Sequence, residues 1–218
     1  LAQQNETLHR YWSVINSLAH QALAKEQRGM PPRIVEPLQT FKGTLPYKAW
    51  TNVLEKCNQA GICGWDVQRP ESLYFDNAEG AQYLSGGWME EYVWLTASEL
   101  GCDEVWANVE FTELATPKND IRNEMDAMIL HNNRLLMVEC KTSVFKADEA
   151  LKNVSILYKL DSLDHRTGGL FGDAWLVSAR VLDDDTLKRA QEYKIKVLHG
   201  SELKQFRSHL QRWMTGEK

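Results

Sequence analysis

The run from Met125 to Val138 is mostly apolar, is interrupted at its centre by Asn132-Asn133, and carries acids and a lysine at its outer ends. Adjacent asparagines between apolar stretches are a tight-turn signal, so the segment reads as a β-hairpin. Counting outward from the turn sets His131 opposite Arg134, Asp126 opposite Glu139 and Glu124 opposite Lys141. Side chains two apart share a face of a strand. The four outer ionisable groups therefore project from one side of the sheet. Met125, Ala127 and Ile129 face the other way, while Met128 and Leu130 continue the acidic face into the interior. Opposed side chains lie about 4.5–5.5 Å apart at Cβ, close enough for two carboxylates to share a cation. Buried charges are costly unless they are paired or coordinate a metal. The pattern predicts a metal site beside a lysine. Surface ion pairing, with Glu124–Lys141 as a cross-strand pair, is the plainer alternative, and the apolar flanks argue against it.

The rest of the 218 residues suits a compact domain with an accessory one. The chain is 43% hydrophobic and no apolar run reaches the length of a membrane span. The first segment is polar and helical in pattern, unlike a secretory leader. Cys57, Cys63, Cys102 and Cys140 form no CxxC pair and no zinc-type set, which points to free thiols in a reducing cytoplasm. A net charge of −5 argues mildly against coating nucleic acid by bulk electrostatics, yet it leaves a nuclease open, because bound cations offset metal-binding acids. A start at Leu1, without methionine and within a helical pattern, suggests a fragment.

Helical spacing runs from about Asn5 to Lys25, and Gly29-Met30-Pro31-Pro32 reads as a linker. Tyr47 to Gln59 is a second helix, followed by strand-like pieces at Ile62–Val67 and Ser72–Phe75, an order that suggests a winged-helix-like module. The expected organisation is a linker helix at 1–29, the winged-helix-like segment at 30–85 and a larger domain at 86–218. Within the last, Trp88–Leu100 is a helix stopped by Gly101, and Glu104–Phe111 is a strand before the hairpin. A helix over Ala147–Leu163, a strand over Asp173–Arg180, a helix over Asp184–Tyr193, a strand over Ile195–Leu198 and a closing helix from Ser201, its N-cap, complete the order α-β-β-β-α-β-α-β-α. That order predicts an α/β fold, a mixed sheet with helices on both faces.

Asp126 and Glu139 are hard oxygen ligands, which suit Mg²⁺ or Mn²⁺ better than zinc. Such an ion can activate water and stabilise charge on a phosphodiester, and Lys141 can stabilise the attacking hydroxide or the scissile phosphate. No G-x-S-x-G nucleophile elbow and no phosphate-cradling glycine loop is present. An acid followed by an E-x-K across a hairpin, after a helix bearing a glutamate, resembles the PD-(D/E)xK nuclease superfamily. Gly87-Trp88-Met89-Glu90, Asn123-Glu124-Met125-Asp126, Glu139-Cys140-Lys141-Thr142, Tyr158-Lys159-Leu160-Asp161-Ser162-Leu163 and Gly168-Gly169-Leu170 narrow the likeness. In order and spacing they resemble the CARF-fused nucleases of type III CRISPR defence, in which a sensor for cyclic oligoadenylate precedes a winged-helix-like segment and a nuclease domain with a restriction-endonuclease-like sheet.

That resemblance implies that Asp126 and Glu139 bind metal, that Lys141 is the catalytic lysine, and that Glu90 holds or orients the metal. Tyr158 and Lys159 would reach toward phosphate from the helix after the sheet. Glu124 belongs to the motif, as a supporting partner of Lys141. The implied activity is cleavage of DNA, single-stranded in the first place and RNA as a further substrate, by a cytoplasmic homodimer without membrane attachment. Cyclic tetra-adenylate would act only through a sensor domain that this chain lacks. The rivals are a repair- or restriction-type nuclease with the same core, and a non-catalytic winged-helix module that binds nucleic acid.

Several residues tempt more than they should. Trp88, Trp94, Trp106 and Trp175 fall in expected core elements, so packing is favoured over base stacking; Trp50 and Trp65 are undecided. His165 and Arg166 read as a solvated loop. Lys146, Lys152 and Lys159 could rim the site, and only Lys159 has motif support. Cys140 points to the opposite face from its neighbours and reads as a core thiol.

Overall fold

The computed structural model describes residues 1–2, 11–25, 30–43, 47–112, 122–142, 150–163 and 172–217. It divides into two compact units, essentially 3–88 and 89–218. Among the described residues no helix is long and apolar enough to cross a membrane.

In the first unit, helix α1 (Trp12–Ala22) buries Trp12, Ile15, Leu18 and Ala22, the stripe its spacing predicts. Strand β1 (Leu38–Thr40), helix α2 (Tyr47–Gln59) and strands β2 (Gly64–Trp65) and β3 (Ser72–Tyr74) follow, and the strands form an antiparallel sheet in the order β1-β3-β2. The Trp50 and Trp65 indole N–H groups both donate to the Pro70 carbonyl, at 2.7 and 3.2 Å. Both rings are thus structural anchors of the β2–β3 connection. Helix α3 (Ala78–Gln82), capped by the Asn77 side chain, runs into a π-helical turn over Tyr83–Gly87.

The second unit is built on helix α4 (Trp88–Glu99) and strands β4 (Glu104–Thr112), β5 (Arg122–His131) and β6 (Arg134–Lys141). These are followed by helix α5 (Ala150–Leu163), strand β7 (Gly172–Ser178), helix α6 (Asp184–Glu192), strand β8 (Lys196–His199) and helix α7 (Phe206–Thr215). The strands form one sheet in the order β4-β5-β6-β7-β8. β4, β5 and β6 run antiparallel, and β6, β7 and β8 run parallel. The mixed sheet expected from the element order is present.

One face of the sheet packs on α5 and α6 through Met137, Ala174, Leu176, Leu157, Leu160 and Ala190. On the other face Phe206 of α7 meets Trp175 edge-on at 6.0 Å and Tyr92 of α4 at 5.8 Å. Gly101, at φ +75°, ends α4 as its sequence position predicts. The closing helix departs from expectation: it begins at Phe206, and 200–205 is a 3-10 helix. Its N-cap is His199, whose N–H donates to Glu202 at 3.3 Å, so Ser201 is not the cap. Trp94 and Trp106 also depart, being about two-fifths exposed (38% and 41%), whereas Trp88 and Trp175 are buried. Trp94 sits about 100° round the helix from the stripe residue Val93, and Trp106 lies on an edge strand.

The hairpin turn is the one the asparagines predict. Asn132 and Asn133 have φ of +50° and +59°, the double left-handed geometry that matches strand twist, and His131 faces Arg134. The Asn132 N–H donates to Asp103 at 2.7 Å, tying the turn to the start of β4. Asn133→Val should lower stability by about 1–2 kcal/mol in urea denaturation, since the left-handed region penalises a β-branched residue. Asn133→Gly should hold or raise it. Equal stability of the two variants would contradict this account of the turn.

Candidate active site

The β5–β6 ladder runs outward from the turn to Ala127↔Val138 and stops there. Beyond it β5 continues beside β4, and β6 continues beside β7 as far as Lys141↔Ser178. The hairpin therefore forks between Asp126 and Glu139. The Asp126 carboxylate spans the fork, accepting the Cys140 backbone N–H at 2.6 Å. The counted register holds in direction, but Asp126/Glu139 and Glu124/Lys141 lie beyond the paired residues. Met125 also departs from strict alternation. It packs in the cluster with Met137, Leu157 and Leu176, because β5 changes course at Asp126.

Glu139 is buried, with 3% of its surface exposed. One of its oxygens meets the Lys141 ammonium at 2.8 Å, and the other accepts from Lys159 at 3.0 Å. Lys159 reaches the sheet from α5, as its motif position implies. Glu90 enters from the first turn of α4. Burial raises its carboxyl pKa, Glu124 and Glu139 raise it further, and Lys141 opposes them. Asp126 is pushed up to about 7, first by burial and then by Glu139, against Lys141 and the Cys140 amide. Burial alone would lower Lys141, but Glu139 and Asp126 outweigh it and hold the ammonium above its ordinary value. Burial also pushes up the Cys140 thiol, which leaves it the inert core thiol expected.

The structure thus brings Asp126, Glu139, Lys141, Lys159 and Glu90 into one electrostatic neighbourhood. Glu124 is exposed and lies near enough to act on Glu90. Tyr158 is not brought in: it is 53% exposed and its ring packs 5.4 Å from Tyr193. His165, Arg166, Lys146 and Gly168-Gly169 fall outside the described residues, as does the side chain of Lys152. Two features escape a reading by motif, the Cys140 N–H and Asn108. An asparagine at the centre of the β4 pattern is the only sequence signal of the second.

Among the described residues no three of His, Cys, Asp and Glu converge closely enough to cage an ion by themselves. The donor set still fits a small hard cation. Mg²⁺ is commonly held by one or two carboxylates, with water and phosphate completing its shell. Carboxyls whose pKa rises through burial and mutual repulsion are the ones a cation would relieve.

Residues 77–216 match the profile of the Card1-like endonuclease domain. The chain belongs to that family. The Card1-like endonuclease-domain assignment agrees with the family that the ordered motifs resemble. Two solved structures are among those similar to it. One is protein VC1899 from Vibrio cholerae, with a TM-score of 0.74 and 26% identity over 98% of this chain and 56% of that one. The other is Can2 from Sulfobacillus thermosulfidooxidans in complex with cyclic tetra-adenylate, with a TM-score of 0.71 and 22% identity over 98% of this chain and 54% of that one. The second likeness is one of fold. This Card1-like chain spans little more than half the length of either. No curated protein matches it.

The raised Asp126 pKa carries a definite sign. Its folded value lies above the 3.8 of a free carboxyl, so its contribution to stability is full below about pH 4 and is lost as pH rises through about 7. In chelator, the wild type should lose stability between pH 5 and 8 relative to Asp126→Asn, by on the order of 2 kcal/mol. Urea titrations at the two pH values measure this. Parallel pH profiles for the two proteins would contradict it.

Proposed function

We propose that the chain is a metal-dependent endonuclease of the PD-(D/E)xK type. It hydrolyses phosphodiester bonds in DNA, single-stranded in the first place and RNA as well, as an effector of type III CRISPR defence. The observation that carries this reading is the fork, where Glu139 is held by Lys141 and Lys159 while half-buried Asp126 and Glu90 crowd it with further acid. A purely structural ion pair needs no such surplus of carboxylates, since uncompensated buried charge is destabilising.

Asp126 and Glu139 would hold Mg²⁺ or Mn²⁺, with Glu90 holding or orienting it from α4. When bound, such an ion supplies positive charge to the reacting phosphate and acidifies a water. Lys159 fixes the Glu139 carboxylate by one oxygen. Lys141, kept cationic by its acid neighbours, would bind a non-bridging phosphate oxygen and orient the water that attacks phosphorus. The new P–O bond forms to that water as the bond to the leaving sugar oxygen breaks; the attacking water gives up a proton to solvent and the leaving oxygen takes one up from solvent. Glu124, at the rim, would set the charge on Glu90.

We also infer a cytoplasmic homodimer. The Can2 structure holds cyclic tetra-adenylate in a chain of which this one matches 54%. That supports control by a cyclic oligoadenylate, exerted through a sensor domain that is not among these residues.

Cleavage of single-stranded DNA and nicking of plasmid DNA in Mn²⁺ are the direct assays. Glu139→Gln and Lys141→Ala should each reduce the rate by about 100-fold or more, and chelator should abolish it. Wild-type rates in both variants would remove the site from the reaction.

A further inference from the structure

The register of β4 against β5 skips one position. Ala107 pairs with Ala127 and Val109 with Met125, while Asn108, which the count sets opposite Asp126, is left out. Asn108 has φ +53°, a left-handed conformation in the middle of a nine-residue strand. Non-glycine residues rarely adopt it, and asparagine is the side chain that most often does. It turns the adjoining peptide groups out of the ladder at the one place where β5 also parts from β6. Asp126 is therefore skipped by the registers on both of its flanks. Two features of β5 accompany this: the Asp126 carboxylate reaches the Cys140 N–H, and Met125 joins the Met137 cluster against strict alternation.

We infer that Asn108 is a positioning residue for the reaction. Its left-handed backbone opens the sheet opposite Asp126 and lets that carboxylate turn across the fork toward Glu139 and Lys141. Asn108 is exposed and supplies no group to the site; it acts through conformation. A strained backbone conformation beside a reactive group, maintained by the surrounding sheet, is a known way of fixing such a group. This inference rests on the reading of Asp126 as a site residue.

Asn108→Val, whose β-branched side chain resists positive φ, should lower kcat for Mn²⁺-dependent DNA cleavage by about 10–100-fold with KM little changed. It should also weaken the thermal protection that Mn²⁺ gives, a readout independent of turnover. Asn108→Gly, free to adopt φ +53°, should restore both. Should Asn108→Val fail to fold, Asn108→Ala carries the same comparison with glycine. Wild-type kcat in the valine or alanine variant overturns the inference. So does a loss in glycine equal to that in valine, since the side chain would then matter and not the conformation. Asp126→Asn tests the underlying reading separately: if it cleaves normally, Asp126 is not in the site, whatever Asn108 does. With Asp126→Asn inactive, adding Asn108→Val should bring no further loss of Mn²⁺ protection, and an additive loss would again overturn the inference.

Discussion

Carboxylates gathered in a space that excludes much of the water repel one another and resist ionisation. The fork between β5 and β6 creates such a space. Pairing stops at Ala127↔Val138, so the side chains beyond it face a gap between strands and not a neighbouring ladder. Glu139, buried beside the gap, is satisfied by two lysines, one from its own strand and one from α5. Among the described residues Asp126 and Glu90 have no such pair of cations, and burial, then the neighbouring carboxylates, raise their pKa. The site is under electrostatic tension that a divalent ion would relieve.

The remainder of the second unit holds that fork open and in place. β6 keeps β7 as a partner to its last residue, so Glu139 and Lys141 stay on a rigid strand while β5 turns away. α5 is fastened to the sheet by Leu157 and Leu160 in the cluster with Met137 and Leu176, which fixes where the Lys159 ammonium can reach. α4 is anchored by buried Met89 and Val93, and Tyr92 donates its hydroxyl to the Leu203 carbonyl, so Glu90 comes in from a fixed helix end. Among the described residues the site is assembled from strands and helices, which suits it to holding reacting groups within narrow tolerances.

Much of this was readable in the sequence because it rests on local rules. Asn132-Asn133 can be little other than a hairpin turn, and the turn fixes the register that brings Asp126 toward Glu139. The motif position of Lys159 pointed to the site, and its reach to Glu139 accords with that. Illegible were the places where tertiary context overrides periodicity. Alternation put Met125 with Ala127 and Ile129, and a local change of course at Asp126 moved it. Helical spacing could not say that Tyr158 would turn to Tyr193 while its neighbour Lys159 turned to the sheet. Trp106 looked like core because its strand is apolar in character, yet β4 lies at the sheet edge and leaves it exposed. Ser201 looked like a cap because serine usually is one, and Gly200 at φ +56° moved the start of the closing structure to His199.

On the proposed reading the fork is a cation site in which Asp126 would exchange a proton for a metal ion. Calorimetric titration with Mn²⁺ in buffers of different ionisation enthalpy measures that exchange directly. About one proton should be released per ion near pH 6, falling toward none by pH 9, and Asp126→Asn should abolish the release. Proton release that is absent at pH 6, or unchanged in Asp126→Asn, would contradict the account.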